Sequence, residues 1–200
     1  VLGAGLVGAL VATELSKDHY IKVIDPDREA LVRVTQLAPA VELHDARFDS
    51  PAQLADCDLA LNCLPGSVGH AALRRIIAAG VDCVDISFTA EDPRTLDAVA
   101  REAGVTIVPD AGIAPGFSNL LAAELAAQAP ARLEIFVGGL PLRREPPWEY
   151  AAPFSPIDVV AEYERPARLK RAGRDVAEPA LSGCHPFRLP PGLVSVLPDG

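Results

Sequence analysis

The sequence predicts an α/β fold for the first half of the chain, with a doubly wound parallel sheet, followed by a smaller α+β segment. Up to about Asp110, short apolar runs alternate with amphipathic stretches, a rhythm that is typical of βαβ units. After Pro109 this rhythm ends in a stretch rich in proline and glycine. We therefore predict two domains, residues 1–115 and residues 116–200.

The predicted elements of the first domain follow one another closely. Apolar, β-rich runs predict strands at Tyr20–Ile24, Ala40–Leu43, Asp58–Leu61, Val81–Ile86 and Val105–Val108. Apolar residues at helical spacing predict helices at Leu6–Leu15, Val68–Ala79 and Pro93–Ala103. Gly80 and Gly104 directly follow the last two helices, where a left-handed residue commonly ends a helix.

The second domain lacks this alternation. We predict a helix at Phe117–Gln128, a strand at Arg132–Gly138, a short helix at Asp158–Glu164 and a hairpin that turns at Gly173. A further strand is predicted at Leu193–Leu197, shortly before the last residue. Because Val1 already lies at the end of a predicted strand, we expect the start of that strand to be missing. Because Gly200 follows the Leu193–Leu197 strand so closely, we expect the end of the second domain to be missing as well.

Composition excludes several classes of function. The chain carries a net charge of −9, which disfavours nucleic acid as a partner, and no apolar run is long enough to predict a membrane span. Its four cysteines have no CxxC spacing, and its four histidines are scattered, so no metal site is predicted. Buried reduced thiols favour a cytoplasmic location.

A glycine motif stands where the first strand meets the first helix. Gly3-Ala4-Gly5-Leu6-Val7-Gly8 has the GxGxxG spacing. Gly3 permits the tight turn, Gly5 lets a pyrophosphate approach the backbone, and Gly8 lets the helix pack closely on the sheet. The first amides of the helix, including those of Leu6 and Val7, then face the negative charge. This context predicts a Rossmann-type dinucleotide site; the alternative is a glycine turn without a nucleotide.

An acidic residue ends the next predicted strand. Asp25 follows the glycines by about 20 residues, where a carboxylate accepts hydrogen bonds from the adenosine ribose. A 2′-phosphate would meet repulsion there, so NAD is favoured as cofactor, and NADP is possible because Arg28 is near in the sequence.

Further polar residues follow the other predicted strands. Ligands of open parallel sheets bind outside the carboxyl ends of the strands. Asp45 is expected to reach the adenine amino group, with Ala46 beside it. The segment Asn62-Cys63-Leu64-Pro65 is expected to run along the cofactor towards its nicotinamide. A turn or capping role is the alternative for each residue.

The loop Asp110–Asn119 carries the sequence DAGIAPGFSN and leads into a helix. Pro115 and Gly116 bring a helix N-terminus to the predicted cleft, where backbone amides can bind a substrate carboxylate or the nicotinamide amide. The alternative is a hinge between domains with a capped helix.

Several segments together resemble the saccharopine dehydrogenase family. They are GAGLVG at Gly3–Gly8, the DAGIAPGFSN loop, GGLP at Gly138–Pro141, FSPIDVVAEY at Phe154–Tyr163 and PALSG at Pro179–Gly183. Within that family, the chain is most similar to the branch that resembles lysine 6-dehydrogenase.

The resemblance implies an NAD(P)-dependent oxidoreductase that acts on the C–N bond of an amino-acid or imine substrate. It also implies a homo-oligomer assembled through the second, substrate-binding domain. Asp110 is the first candidate for proton transfer because it follows a predicted strand beside the nicotinamide position, with Tyr150 and Glu162 as further candidates. The alternatives are an NADPH-dependent reductase that forms carboxyspermidine or saccharopine, and a non-catalytic NAD-sensing module.

Overall fold

The computed structural model describes residues 1–129, 132–138, 141, 143, 145–147, 149–152 and 154–183. The chain forms two compact units, residues 1–135 and residues 136–200. The boundary at residues 115 and 116 stays a prediction. Within the described ranges, no helix combines the length and the apolar character that crossing a membrane requires.

Strands and helices alternate through most of the first unit. In chain order they are α1 (Leu6–Leu15), β1 (Lys22–Asp25), α2 (Arg28–Leu37), β2 (Glu42–Asp45), β3 (Leu59–Asn62), α3 (Gly66–Ala79), β4 (Asp82–Asp85), α4 (Asp97–Ala103), β5 (Ile107–Val108) and α5 (Phe117–Ala126). All predicted strands and helices of the first domain are therefore present. Helix α1 has the predicted ends, and the ends of the other elements are shifted. Gly80 and Gly104 end α3 and α4 in the left-handed conformation, as predicted.

The sheet is parallel throughout and has Leu2 at its centre. β1 pairs with β2, and β3 pairs with β4, which pairs with β5. Leu2 connects the two sets, because it forms parallel bridges to both Ile24 and Asn62. The strand order is thus β2, β1, Leu2, β3, β4, β5, which is the doubly wound arrangement that the sequence predicts.

Two apolar clusters cover the sheet. One cluster includes Val23 and buried residues of α1 and α2, such as Ala12 and Val34. The other includes Leu73 and Ile76 of α3 together with strand residues. Alternate strand side chains point to opposite faces. β1 therefore contributes to both clusters, with Val23 in the first and Ile24 in the second.

The sequence analysis missed α2. Asp27 caps this helix by accepting hydrogen bonds from the amides of Glu29 and Ala30. Ala30, Leu31 and Val34 are its buried residues, at the spacing of one helix face. This capping residue and this spacing were the signals available in the sequence.

The second unit contains α6 (Pro156–Glu164) and a hairpin of β6 (Ala167–Arg171) and β7 (Arg174–Glu178). The predicted turn at Gly173 is confirmed, since Ala172 and Gly173 both have positive φ, at 48° and 78°.

The predicted strand at Arg132–Gly138 is wrong. Residues 132–138 form no strand, and the apolar side chains of Leu133, Ile135 and Val137 are exposed. Apolar alternation produces a strand only where a neighbouring strand supplies hydrogen-bond partners, and the described residues supply none here. The strand predicted at Leu193–Leu197 lies outside the described residues.

Replacing Gly8 with Ala should lower the free energy of unfolding by about 3 kcal/mol, because the added methyl has no room. A Cβ on Gly8 would overlap the carbonyl oxygen of Gly3. Gly5→Ala is the matched control. A Cβ there meets nothing within 4 Å, so the cost should stay below about 1 kcal/mol. Urea denaturation measures both variants, and equal losses of stability would contradict the proposed close approach.

Candidate functional site

The N-terminus of α1 is exposed at the carboxyl ends of the strands. Gly5 precedes the helix in an extended conformation, and no side chain of the described residues caps it. A Cβ on Gly5 would meet nothing within 4 Å, and Leu6 and Val7 are exposed. The first amides of a helix have no partner within it. This turn therefore presents backbone donors that an anion can bind.

Helices α2 and α5 differ in this respect. Asp27 accepts hydrogen bonds from the first amides of α2. At α5, the side-chain oxygen of Asn119 accepts from the Gly116 amide at 3.2 Å. The ends of α2 and α5 thus have partners within the chain, whereas α1, like α3, α4 and α6, has no side-chain cap among the described residues. What distinguishes α1 is the empty space beside Gly5.

Asp25 holds the glycine loop against the end of β1. Its Oδ2 accepts a hydrogen bond from the Ala4 amide at 2.6 Å, and its Oδ1 accepts from the Asp27 amide at 2.7 Å. The carboxylate is half-buried, and each oxygen can accept a further bond. Asp25 can thus bind a ribose hydroxyl while it fixes the loop that approaches the pyrophosphate.

Asp45 lies directly beside Asp25, as its partner in the register of β1 and β2. Its carboxylate forms an ion pair with the guanidinium of Arg28. Ala46 follows, with its amide donating to the Asp25 carbonyl at 3.2 Å. The predicted adenosine edge therefore contains two carboxylates and one guanidinium.

The Asn62 side chain lies in a buried polar cluster instead of at the surface. It is 0% exposed, and its Nδ2 donates to Asp85 Oδ1 at 2.8 Å. Ser87 donates to the same oxygen from its amide at 3.0 Å and from its hydroxyl at 2.6 Å. The carbonyl of Asp85 accepts from the Ala111 amide at 2.9 Å, which joins the cluster to the loop after β5.

Asp85 and Ser87 were not among the predicted site residues. The signal in the sequence was the alternation of a strand. Cys83, Asp85 and Ser87 are spaced two residues apart, so their side chains share one face of the strand, and this face is buried. Burial raises the pKa of Asp85, and the hydrogen bonds from Ser87 and Asn62 oppose this rise. Asn62 Oδ1 is buried without a hydrogen-bond partner among the described residues.

The remaining residues of this segment support the glycine loop. A Cβ on Gly3 would come within 2.8 Å of the Cys63 carbonyl oxygen, so this backbone packs directly behind the turn. Leu64 is half-buried, and exposed Pro65 precedes α3.

Burial raises the pKa of Cys63 to about 11, so this thiol is protonated at neutral pH. In the described part of the chain, no three His, Cys, Asp or Glu side chains are grouped as metal ligands.

The loop before α5 uses its backbone donors internally. The Phe117 and Ser118 amides donate to the carbonyls of Gly112 and Ile113, both at 2.9 Å. Gly116 donates to Asn119, and Pro115 has no amide proton. These bonds cap the helix, as the second of the two predicted roles requires, and the loop lies within the first compact unit. Contact between Pro115 or Gly116 and a cofactor stays a prediction.

The three candidates for proton transfer lie in different units. Asp110 is exposed just after β5, with a positive φ of 55°. Tyr150 and Glu162 belong to the second unit, where burial, together with the nearby Tyr163 and Glu162, raises the pKa of Tyr150. Burial and the nearby Asp158 raise the pKa of Glu162.

A groove of about 400 Å³ runs between α1 and the sheet. It is lined by Leu10, Val11, Glu14, Leu15, Leu61, Cys63, Val84, Ile86 and Ala111. Among the described lining residues Glu14 is the only charged one, so these residues offer no cation to a pyrophosphate. The open end of α1 is the better candidate for a phosphate site.

The chemistry of these residues fits a dinucleotide. Uncapped amides face the space above Gly5, and the half-buried Asp25 lies at the next strand end. A parallel sheet with this glycine turn is typical of the class of dinucleotide-binding proteins.

Two family models match the chain one after the other. Residues 1–108 match the saccharopine dehydrogenase NADP binding domain, and residues 112–197 match the saccharopine dehydrogenase C-terminal domain. The chain belongs to the saccharopine dehydrogenase family, as its motifs predict.

Relatives and a solved structure agree with this assignment. Alpha-aminoadipic semialdehyde synthase, mitochondrial, is 27% identical over 191 residues in Bos taurus and 26% identical over 192 residues in Mus musculus. Each match covers 88% of this chain and 20% of the relative, so the chain spans about a fifth of these relatives. Apo histidine-tagged saccharopine dehydrogenase (L-Glu forming) from Saccharomyces cerevisiae shares the fold. Its TM-score is 0.68 at 18% identity, with 96% of this chain and 46% of that chain covered.

Replacing Asp85 with Asn should raise the free energy of unfolding at neutral pH, and this gain should shrink in acid. Burial holds the folded-state pKa of Asp85 above 3.8. A raised acid pKa contributes stability below the unfolded-state pKa, and that contribution is lost as pH rises through the folded-state pKa. Asparagine keeps the acceptor oxygen and carries no charge. Urea denaturation from about pH 3 to 8 measures the difference.

Asp85→Ala is the control for this prediction. It removes the oxygen that accepts from Asn62 Nδ2 and from the Ser87 hydroxyl, and it should lower stability by about 1–3 kcal/mol. Because the same titrating group is lost, this loss should be largest in acid. A gain for Asp85→Asn that is larger in acid than at neutral pH would contradict the buried-carboxylate argument.

Proposed function

We propose that the chain binds a nicotinamide dinucleotide with its pyrophosphate at the N-terminus of α1 and its adenosine ribose on Asp25. The observation that carries this proposal is the open first turn of α1. No side chain of the described residues caps Gly5, and the space beside it is empty. The NADP binding domain that the family model assigns to residues 1–108 supports the same cofactor class.

NAD is the proposed cofactor, with NADP as the alternative. Asp25 and Asp45 place two carboxylates at adjacent strand ends. Carboxylates accept hydrogen bonds from ribose hydroxyls and repel a 2′-phosphate. Among the described residues, Arg28 is the cation that contacts this cluster, and it already pairs with Asp45. The local charge therefore favours a ribose without phosphate.

The proposed activity is oxidation or formation of a C–N bond in an amino-acid or imine substrate. The nicotinamide, when bound, accepts or donates the hydride. The protein's part is to hold the substrate carbon near the nicotinamide, to exclude water and to move a proton at the substrate nitrogen. The names of the mammalian and yeast relatives are the source of this substrate class.

Glu162 and Tyr150 suit different parts of the proton transfer. A raised carboxyl pKa keeps Glu162 protonated closer to neutral pH, which suits donation to a nitrogen. A raised phenol pKa keeps Tyr150 protonated, which suits hydrogen bonding to a substrate oxygen or nitrogen. Asp110 remains a candidate from its place after β5.

We also propose that the working protein is a homo-oligomer assembled through its second domain, without nucleic acid or membrane as partners. The proposed location is the cytoplasm, although the mammalian relatives are named as mitochondrial. Light scattering and cell fractionation test these two proposals.

An NADPH-dependent reductase that forms saccharopine or carboxyspermidine is the second candidate. The family model is named for NADP, and Arg28 lies close enough to the ribose site to serve a phosphate if it leaves Asp45. Assays of the purified protein separate the candidates. Amine-dependent reduction of NAD supports the first, and faster oxidation of NADPH with imine substrates supports the second. Tight NAD binding without either reaction would support the NAD-sensing alternative.

Replacing Gly5 with Val should weaken NAD binding at least about 30-fold, as expected when one or two charge-assisted hydrogen bonds to a phosphate are lost. The valine side chain would occupy the space that is empty beside Gly5. Calorimetric titration measures the affinity, and thermal unfolding checks that the variant is folded. Ala98→Val, at an exposed position of α4, is the control. Unchanged NAD affinity in a folded Gly5→Val protein would overturn the proposed phosphate site.

A further inference from the structure

Three charged side chains meet where β1 and β2 end. Asp25 and Asp45 are register partners across these strands. Arg28 is the first residue of α2. The Arg28 Nε donates to Asp45 Oδ2. The residue that the sequence suggested as a phosphate ligand is thus held by a carboxylate of the same site.

Asp25 does not compete for this guanidinium. Its two oxygens accept hydrogen bonds from the amides of Ala4 and Asp27, and these bonds fix its orientation. In the described contacts, the carboxylate of Asp45 accepts no hydrogen bond from a backbone amide. It is therefore available to Arg28. Asp25 thus binds the glycine loop, and Asp45 binds the guanidinium of Arg28.

The pair is exposed, and this determines how strongly it acts. The Arg28 side chain is 85% exposed and the Asp45 side chain is 40% exposed. Exposed ion pairs are worth little, because water screens them and both side chains lose freedom. Arg28 can therefore leave Asp45 for a doubly charged phosphate, but the exchange costs the existing pair and keeps the Asp45 charge close by.

We infer that Asp45 is a specificity-determining residue, which lowers the affinity for a 2′-phosphorylated ribose by holding Arg28 and by adding its own negative charge. This inference rests on the proposed dinucleotide site. A ribose with free hydroxyls binds without displacing Arg28 from Asp45, since Asp25 accepts its hydrogen bonds. A ribose with a phosphate must recruit Arg28 from Asp45, so NADP is disfavoured but not excluded.

The test compares Asp45→Asn with the unaltered protein in calorimetric titrations of NAD and NADP. Adenosine 5′-monophosphate and adenosine 2′,5′-bisphosphate serve as probes of the ribose site alone. Loss of the carboxylate should raise the affinity for the phosphorylated member of each pair, relative to the other, by about three- to tenfold at low salt. The gain should decrease as salt is added.

Three further variants separate this role from a structural one. Asp45→Glu keeps the charge and should keep the original ratio. Arg28→Gln combined with Asp45→Asn should remove most of the gain, because the freed cation is its main source. Arg33→Gln, at an exposed arginine of the same helix, should leave the ratio unchanged. Thermal unfolding verifies that each variant is folded.

The outcomes are distinct. An unchanged ratio in Asp45→Asn, or a gain that persists fully without Arg28, would overturn the inference while NAD binding still supports the proposed function. If the unaltered protein binds neither NAD nor NADP, the proposed function fails and the inference fails with it. A gain that requires Arg28 would establish Asp45 as the residue that sets the preference.

Discussion

The close approach of α1 to the centre of the sheet is the constraint on which the rest of the site depends. The chain leaves Leu2 and begins α1 only a few residues later. Gly3 has a positive φ of 96°, and a side chain there would press on the Cys63 carbonyl. A side chain on Gly8 would overlap the Gly3 carbonyl. Because both positions are glycine, the first amides of α1 lie exposed at the carboxyl ends of the strands. Asp25 holds the glycine loop there by a hydrogen bond.

The same edge of the sheet carries two polar groups of opposite character. At the ends of β1 and β2, Asp25, Asp45 and Arg28 are at least partly accessible and can exchange partners with a ligand. At the ends of β3 and β4, Asn62, Asp85 and Ser87 are buried and bonded to one another. Water weakens the interactions within the first group, whereas the exclusion of water strengthens the hydrogen bonds within the second. The accessible group can therefore recognise a ligand, while the buried group holds the strands and the loop before α5 in place.

Much of the fold was predictable because its signals are local. The apolar runs, the helix-ending glycines and the turn at Gly173 depend on conformational preferences of neighbouring residues. The errors arose where local signals needed a partner elsewhere. Residues 132–138 alternate as a strand would, yet the described residues provide no ladder for them. Helix α2 is a different case, because its cap at Asp27 and the spacing of its buried residues are local signals that were overlooked.

The sequence by itself determined the class of the first domain, since GxGxxG spacing, an acidic residue at the next strand end and βαβ alternation are all encoded within short segments. Only the tertiary structure decided which polar groups remain available to a ligand. The amides at α5 are occupied and those at α1 are open. Arg28 pairs with a residue 17 positions away, and Asn62 bonds to one 23 positions away. Hydrogen-bond partners brought together by strand pairing leave no trace in local sequence, so their distribution becomes visible only when the sheet has formed.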